Sequence, residues 1–144
     1  MKPVIIDNNL ICAVLADGSP LPISELRDAF LFGRGHKIVA VLGGRLEVEY
    51  YGHVKHKALF VRLIQAGRIR KVSTTDVDKI EAQFVSLGQL KSDDPHVIAL
   101  AIVSGARVLC SHDAALHEDF TDPNVIASPR GKVWQRDAHN HLLR

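Results

Sequence analysis

The sequence predicts a single α/β domain in which helices flank a central, mostly parallel sheet. Its 144 residues are one domain's worth of chain. With 47% hydrophobic and 24% charged residues, the composition is that of an ordinary globular protein. Short apolar runs rich in β-branched residues alternate with segments of helical period, as in parallel strands joined by helices. We therefore expect one domain over residues 1–144, with a polar C-terminal tail over about 129–144.

The first half of the chain contains two predicted strands and two predicted helices. The glycine and prolines of DGSPLP predict a loop. In the longer helix, Leu46, Tyr50, Val54 and Val61 fall near helical spacing, and Gly67 is the expected stop. In chain order the elements are strand 3–6, helix 8–16, loop 17–22, strand 36–42 and helix 45–65.

The second half begins with a short strand and a helix that Thr75 is expected to cap. The next helix is the best defined, because Pro95 suits the first helical position, Asp94 is then the natural N-cap, and Gly105 ends it. In chain order the elements are strand 69–73, a helix from Thr75, helix 95–104, strand 106–111, a short helical piece over 116–120 and a strand near 124–128.

The net charge, the cysteines and the apolar runs limit the partners and the compartment that we expect for this protein. A net charge of +2 is mild, so affinity for nucleic acid would need a local basic patch. Cys12 and Cys110 lie in apolar runs, and we expect buried free thiols in a reducing compartment. The chain has no uninterrupted run of 18 apolar residues, and Asp7 comes too early for a signal-peptide core. We expect a soluble, cytoplasmic protein with no membrane partner.

Four carboxylates are predicted to converge at one edge of the sheet. Asp7 follows the first strand and Asp113 follows the strand 106–111. Both therefore lie at carboxyl ends of strands, where open α/β sheets bind their ligands. Asp94 opens the helix that leads into the strand 106–111, which brings it to the same edge. Glu49 lies on the first turns of the helix after the double glycine.

Such a cluster predicts divalent-cation chemistry. Neighbouring carboxylates repel one another and raise one another's pKa values unless a cation lies among them. Oxygen ligands of this kind favour Mg²⁺ or Mn²⁺. One or two such ions can hold a phosphate, activate water and stabilise a leaving oxygen. The pattern therefore indicates hydrolysis of a phosphodiester, and it leaves open whether one ion or two take part.

Each acid taken alone also has a simpler interpretation. Asp7 and Asp94 could be helix caps, since Asp is favoured at that position. Glu49 could be a solvated helix residue, and Asp113 could be a turn residue. The ordered set of four is more specific than any one of its members.

Four segments carry a resemblance to a known family. They are VIIDNNLI (4–11), LEVEYY (46–51), SDDPHVIALA (92–101) and RVLCSHDAAL (107–116). In this order, and across nearly the whole chain, they resemble the PIN-domain nucleases, which include the VapC-like bacterial ribonucleases. That family shows Asp-x-Asn after strand one, Glu on an early helix, Asp before two alanines, and Asp two residues after Ser or Thr. The corresponding residues here are Asp7 with Asn9, Glu49, Asp94 with Ala99 and Ala101, and Asp113 with Ser111.

The resemblance implies a metal-dependent endoribonuclease, a hydrolase that cleaves single-stranded RNA with Mg²⁺ or Mn²⁺. Its catalytic and metal-binding residues would be Asp7, Glu49, Asp94 and Asp113. Many bacterial members are the toxins of toxin–antitoxin pairs, so an antitoxin protein and a homodimer are candidate partners that the sequence leaves open. The alternative is a non-catalytic PIN-like module that binds RNA or protein.

Three further residues are expected to support the acids. Asn9 would hydrogen-bond Asp7 or a metal-bound water. Ser111 matches the Ser or Thr that precedes the last Asp of the family. Asp93 precedes the cap and would support Asp94 or face solvent.

Two positions leave the assignment open. The family often has an acid four residues after the last Asp, where this chain has His117 and where Asp119 is the nearest substitute. Helix phase alone does not decide between Glu47 and Glu49. We favour Glu49 because it stands before Tyr50, as in LxxEY segments of the family.

Two basic groups are candidates for binding RNA. Arg68, Arg70 and Lys71 form one, and in both groups such a run is more often a solvated face. The other could hold a phosphate backbone and stack a base, and it consists of Arg130, Lys132 and Arg136 beside Trp134. The histidine pairs 53/56 and 139/141 lack the cysteine partners of a structural zinc site, so zinc is not favoured.

Two other enzyme or signalling classes place an Asp after strand one. A haloacid-dehalogenase-type site needs a second Asp two residues later, where this chain has Asn9. A receiver domain needs an acidic pair before that turn, and residues 1–6 contain no acid. The sequence therefore favours the nuclease over both classes.

Overall fold

The computed structural model describes residues 1–16 and 22–144, and it confirms the predicted α/β fold class. The described residues form one five-stranded sheet in the order β3-β2-β1-β4-β5, with every pairing parallel. The strands are β1 (Lys2–Ile6), β2 (Ile38–Leu42), β3 (Ile69–Lys71), β4 (Val108–Cys110) and β5 (Lys132–Trp134).

Helices connect the strands and pack against the sheet. Two 3₁₀ helices, Val54–His56 and Asp137–Leu143, accompany the α helices. The described α helices are α1 (Asn8–Leu15), α2 (Ser24–Phe32), α3 (Gly44–Tyr51), α4 (Lys57–Gln65), α5 (Thr74–Leu87), α6 (Pro95–Ser104) and α7 (Ala114–Thr121). None of the helices in the described ranges is long and apolar enough to cross a membrane.

The core lies between the sheet and the helices that cover it, α6 among them. All five residues of β2 are buried, as expected for a central strand of a parallel sheet covered on both faces. Five consecutive residues of α6, from Val97 to Ala101, are also buried. A helix that is apolar on every side belongs inside a protein, and α6 packs against α5 and reaches β1 and β2. The predicted bounds of α6 are confirmed.

The glycine pair before α3 lets α5 pack against the start of that helix. Gly44 has a φ of +61°, which favours glycine, and a Cβ there would lie 2.6 Å from Cγ1 of Val77 on α5. The backbone N–H of Gly44 also donates to Oγ1 of Thr74. These contacts place the first turns of α3, which carry Glu47 and Glu49, at the carboxyl edge of the sheet.

The predicted long helix 45–65 is wrong, because the chain breaks between α3 and α4. His53 has φ −82° and ψ 68°, which is not helical, and its Nε2 donates to Oδ1 of Asn8. The apolar pattern that suggested one helix also fails after the break, since Val54 is 76% exposed. The contact between His53 and Asn8 holds the turn that separates the two helices.

The C-terminal region differs most from the expectation. The predicted strand near 124–128 is wrong, and β5 lies instead inside the segment predicted as a polar tail. Trp134 and Leu143 are fully buried, so residues 129–144 are part of the domain. The three residues of β5 pair with β4, and the buried side chain of Trp134 joins the segment to the core.

The structure also differs from the prediction at one helix cap, one helix and one cysteine. The helix α5 is capped by Ser73, whose Oγ accepts from the N–H of Asp76, and not by Thr75. The helix α2 was not predicted. Cys110 is buried as expected, but Cys12 is exposed. The loop predicted over 17–22 lies, except for its last residue, outside the described residues.

Candidate active site

Asp7 is the most buried member of the predicted acid set. It follows β1 directly and is the N-cap of α1, with Oδ1 accepting from the N–H of Asn8 at 2.8 Å. Its other oxygen, Oδ2, accepts from the hydroxyl of Ser111 at 2.9 Å. Only 6% of Asp7 is exposed, so both oxygens of a buried carboxylate have a donor.

Ser111 connects Asp7 to Asp113. The strands β1 and β4 are adjacent, with Ile6 opposite Cys110, so the residues that follow them lie side by side. The Oγ of Ser111 donates to Asp7 and accepts from the backbone N–H of Asp113 at 3.1 Å. Asp113 then caps α7 by accepting from the N–H of Leu116. One buried hydroxyl therefore fixes the turn that carries Asp113.

Glu49 and Asp94 flank the ring of His96. The Nε2 of His96 donates to Oε1 of Glu49 at 2.9 Å, and its Nδ1 lies 4.0 Å from Oδ1 of Asp94. His96 is only 2% exposed, and its Nδ1 has no hydrogen-bond partner within the described ranges. The side chains of Glu49 and Asp94 are 32% and 31% exposed. A buried imidazole therefore lies under two accessible carboxylates.

The pKa of Asp94 indicates that the four acids share one electrostatic environment. Burial raises this pKa above its ordinary value, and the charge of His96 acts in the opposite direction. The negative charges of Asp7, Asp113 and Glu49 raise the pKa further. All four predicted ligands are therefore close enough to interact.

Asp94 and Asp93 have different surroundings. Asp94 occupies the N-cap position of α6, as predicted, but its side chain makes no capping hydrogen bond. Asp93 is exposed and lines a groove beside α5. Capping therefore does not account for the carboxylate of Asp94, and the two acids of the doublet point to separate sites.

Glu47 and Glu49 are likewise separated. The Oε1 of Glu47 lies 3.0 Å from Nζ of Lys71, and its Oε2 accepts from the hydroxyl of Thr74. Glu49 instead contacts His96. The ion pair with Lys71 occupies Glu47, so the geometry favours Glu49 as the member of the acid cluster.

Asp119 does not join the cluster as a substitute ligand. It is 3% exposed, and its two oxygens accept from the backbone N–H groups of Lys91 and Ser92 at 2.9 and 2.8 Å. At the family's acid position, Nε2 of His117 donates to the carbonyl of Ser111. Both residues therefore hold backbone around the site.

The polar contact after β1 is made by Asn8, where the sequence suggested Asn9. Asn9 is exposed. The two hydrogen bonds to the carboxylate of Asp7 come from the backbone of Asn8 and from Ser111. The side chain of Asn8 bonds His53, whose Nε2 also lies 3.9 Å from Sγ of Cys12.

The predicted RNA-binding residues at the C-terminus do not form one surface with an aromatic ring. Trp134 is fully buried and its indole N–H donates to Asn140, so it cannot stack a base as suggested. Arg130 and Lys132 lie at the amino end of β5, at the opposite edge from the acids, and Nε of Arg130 donates to the carbonyl of Thr121. Arg136 is exposed and follows the carboxyl end of β5.

The acid cluster has donors of the right type for a divalent cation but is not closed around one. Carboxylate oxygens suit Mg²⁺ and Mn²⁺. In the part of the chain that the structure describes, no three His, Cys, Asp or Glu side chains are placed to hold an ion together. The side chains of Glu49 and Asp94 are about one-third exposed and are therefore accessible to an ion. The chemistry of the donor set therefore suits such an ion.

Two residues that sequence reasoning missed help to place the acids. Tyr50 is fully buried and its hydroxyl donates to the carbonyl of Ile6 at 2.6 Å, which ties α3 to the end of β1. The other residue is His96, which donates to Glu49. Its position two residues into a wholly apolar helix was the available signal that it is buried.

Comparison with known proteins adds no further information on this site, since no family model, curated protein or solved structure matches the chain.

Proposed function

We propose that this chain is a metal-dependent ribonuclease of the PIN-domain type, which hydrolyses phosphodiester bonds of single-stranded RNA. The supporting observation is that four acids from separated segments are joined in pairs: Ser111 bonds Asp7 and the backbone of Asp113, and the ring of His96 lies between Glu49 and Asp94. Four like charges at one edge of a parallel sheet cost stability unless a cation balances them. Such a cost is typical of functional sites.

The residues of the chain would hold and orient the reacting groups. Asp7, Glu49, Asp94 and Asp113 supply the oxygen ligands for Mg²⁺ or Mn²⁺. When bound, the ion would supply Lewis-acid polarisation of the phosphodiester and activation of water. Ser111 keeps Asp7 in place, and His96 keeps Glu49 in place, since each donates a hydrogen bond to its carboxylate.

Basic side chains at the same edge would attract the RNA backbone. Lys71 ends β3 at this edge, although its ammonium group is paired with Glu47. Arg45, on the first turn of α3, is 61% exposed and is available to a phosphate. The toxin role, an antitoxin and a homodimer come from the family resemblance alone.

The test is cleavage of single-stranded RNA by a pair of matched variants. The parent should cleave with Mg²⁺ or Mn²⁺ and stop when a chelator is added. Glu49→Gln should lower the rate roughly a hundredfold, as expected for loss of one electrostatic group at a reacting centre. Glu47→Gln, two residues away on the same helix, should cleave like the parent, because Glu47 is engaged with Lys71.

Three results would contradict this assignment in different ways. Equal activity of Glu49→Gln and the parent would remove Glu49 from the site. Activity lost in Glu47→Gln but kept in Glu49→Gln would reverse the ligand assignment. RNA that binds but is never cleaved under any metal would favour the non-catalytic PIN-like module instead.

A further inference from the structure

A groove lies beside Asp94, and apart from Arg45 its lining has no role in the proposed hydrolysis. Its volume is about 330 Å³, near the lower end of the range for small-molecule sites, roughly 300–1,000 Å³. Phe84, Val85, Gly88 and Leu90 line one part of it, and its polar lining comes from Arg45, Ser92 and Asp93. It therefore combines an apolar wall with a cation and an anion.

Two covalent connections place the groove next to the acids. Asp93 precedes Asp94, and Pro95, which also lines the groove, follows it. Arg45 lies four residues before Glu49 on α3, so the two side chains are on the same face of that helix. The groove and the acid cluster therefore share the start of α3 and the N-terminal end of α6.

Arg45 is held at the groove by a buried acid. Its Nη2 lies 3.4 Å from Oε1 of Glu81, whose side chain is 12% exposed. The contact is an ion pair without hydrogen-bond geometry, because this Oε1 has no hydrogen-bond partner within the described residues. The guanidinium group keeps most of its donors free and is 61% exposed. It can therefore bind a phosphate oxygen while Glu81 anchors it.

Asp93 limits which part of an RNA the groove can bind, because its exposed carboxylate repels the phosphates. The parts of RNA that can donate hydrogen bonds to it are the base amino and imino groups and the ribose 2′-hydroxyl. Guanine has two adjacent N–H donors on its pairing edge and matches both oxygens of a carboxylate. Uracil has one N–H between two carbonyl groups, which would repel the same carboxylate.

We propose that this groove is a base-binding subsite for one nucleotide of the RNA, with Asp93 selecting guanine over uracil. The inference rests on the proposed function. Phe84 and Leu90 provide the apolar surface against which the base packs. Arg45 binds the adjacent phosphate. The subsite gives the nuclease a preference for sequence at a single position beside the cleaved bond.

The test measures GMP and UMP binding to the metal-free full-length chain by NMR titration, so that neither metal nor cleavage is needed. GMP should bind about five- to a hundredfold more tightly than UMP, the discrimination expected of a bidentate base contact. The amide signals that move should include those of Gly88, Ser92 and Asp93. Equal affinity for the two nucleotides, or shifts elsewhere only, would overturn the proposal.

Substitutions separate the two polar residues. Asp93→Asn should weaken the binding of GMP and strengthen the binding of UMP, because an amide offers uracil one donor and one acceptor. Arg45→Gln should weaken both nucleotides alike. Asp28→Asn on α2 and Arg62→Gln on α4 are the matched controls and should bind both nucleotides like the parent. A preference for GMP that survives Asp93→Asn would overturn the role of Asp93.

A second arm distinguishes an RNA strand from a free nucleotide. Single-stranded RNA with one guanine in an adenine background should bind more tightly than the same RNA with uracil there, and Asp93→Asn should reverse the order. No difference between the RNAs would overturn the subsite. If guanine selection depends on Asp93 but no RNA is ever cleaved, the subsite is supported and the proposed hydrolysis fails.

Discussion

At the scale of single residues, one buried hydroxyl organises two of the acids. Ser111 donates to Asp7 and accepts from the backbone of Asp113, so its loss affects both. The resemblance to a family with Ser or Thr at this position named Ser111 in advance. It did not name His96, whose burial follows from its position at the start of the apolar helix α6 and not from the family motifs.

Ser111→Ala should weaken binding of Mn²⁺ about 10- to 100-fold, as expected when an outer hydrogen bond to a ligand is lost. Stability should fall by about 1.5–3 kcal/mol, since a hydrogen bond to a charged group disappears. Calorimetric titration and denaturant unfolding measure the two effects. Ser104→Ala, which removes a hydroxyl bonded to the N–H of Ala106, is the control. Parent-like affinity for Mn²⁺ in Ser111→Ala would contradict the role of Ser111.

Asp94→Asn tests the raised pKa of Asp94 through the stability of the metal-free protein. A carboxyl whose pKa is raised by folding stabilises below its unfolded pKa, and this contribution is lost as the pH rises through the folded pKa. At about pH 7 the ionised Asp94 therefore opposes folding, and the uncharged variant should be at least as stable as the parent.

The difference between the two proteins should shrink as the pH falls toward the ordinary range of an aspartate, because Asp94 then becomes neutral in the parent as well. Denaturant unfolding at several pH values measures it. The substitution removes no capping hydrogen bond, since the side chain of Asp94 makes none. A variant clearly less stable than the parent at neutral pH would mean that Asp94 stabilises the fold instead.

At the scale of elements, the sequence predicts the strands and helices whose formation depends on neighbouring residues. The strands β1 and β2 and the helices α1 and α6 follow from periodicity, glycine stops and Pro95. The break between α3 and α4 depends on a contact between His53 and Asn8, which are 45 residues apart. The strand β5 has too few apolar residues to stand out. Such features are set by tertiary contacts and could not be read from a short window.

The loop before α6 is a second example, since its position depends on Asp119 of α7. Both oxygens of Asp119 accept backbone N–H groups of this loop. Asp119→Asn leaves one side-chain oxygen to accept a backbone N–H. The new NH₂ group faces the other backbone N–H, and two donors cannot bond each other. The variant should lose about 1–3 kcal/mol of stability. Hydrogen exchange at Lys91 and Ser92 should become faster while that of α6 changes less. Unchanged exchange there would contradict this role.

At the scale of the whole molecule, the parallel sheet brings the acids to one of its edges. The order β3-β2-β1-β4-β5 sets the carboxyl ends of β1 and β4 side by side. The rule that ligands bind at such ends was enough to predict that Asp7 and Asp113 meet. It was not enough to separate Asp93 from Asp94, or Glu47 from Glu49. Those choices depend on Lys71, on His96 and on the groove beside α5.

If the four acids form one site for a divalent cation, Mn²⁺ should stabilise the folded protein, and a Mn²⁺ titration of the unfolding equilibrium measures this effect. An ion that binds only the folded cluster adds RT ln(1 + [L]/Kd), about 2.7 kcal/mol at a hundred times Kd. The parent should gain this stability, Asp93→Asn should keep most of it, and Asp94→Asn should lose it. Equal stability of the parent with and without millimolar Mn²⁺, or a full gain in Asp94→Asn, would contradict the claim.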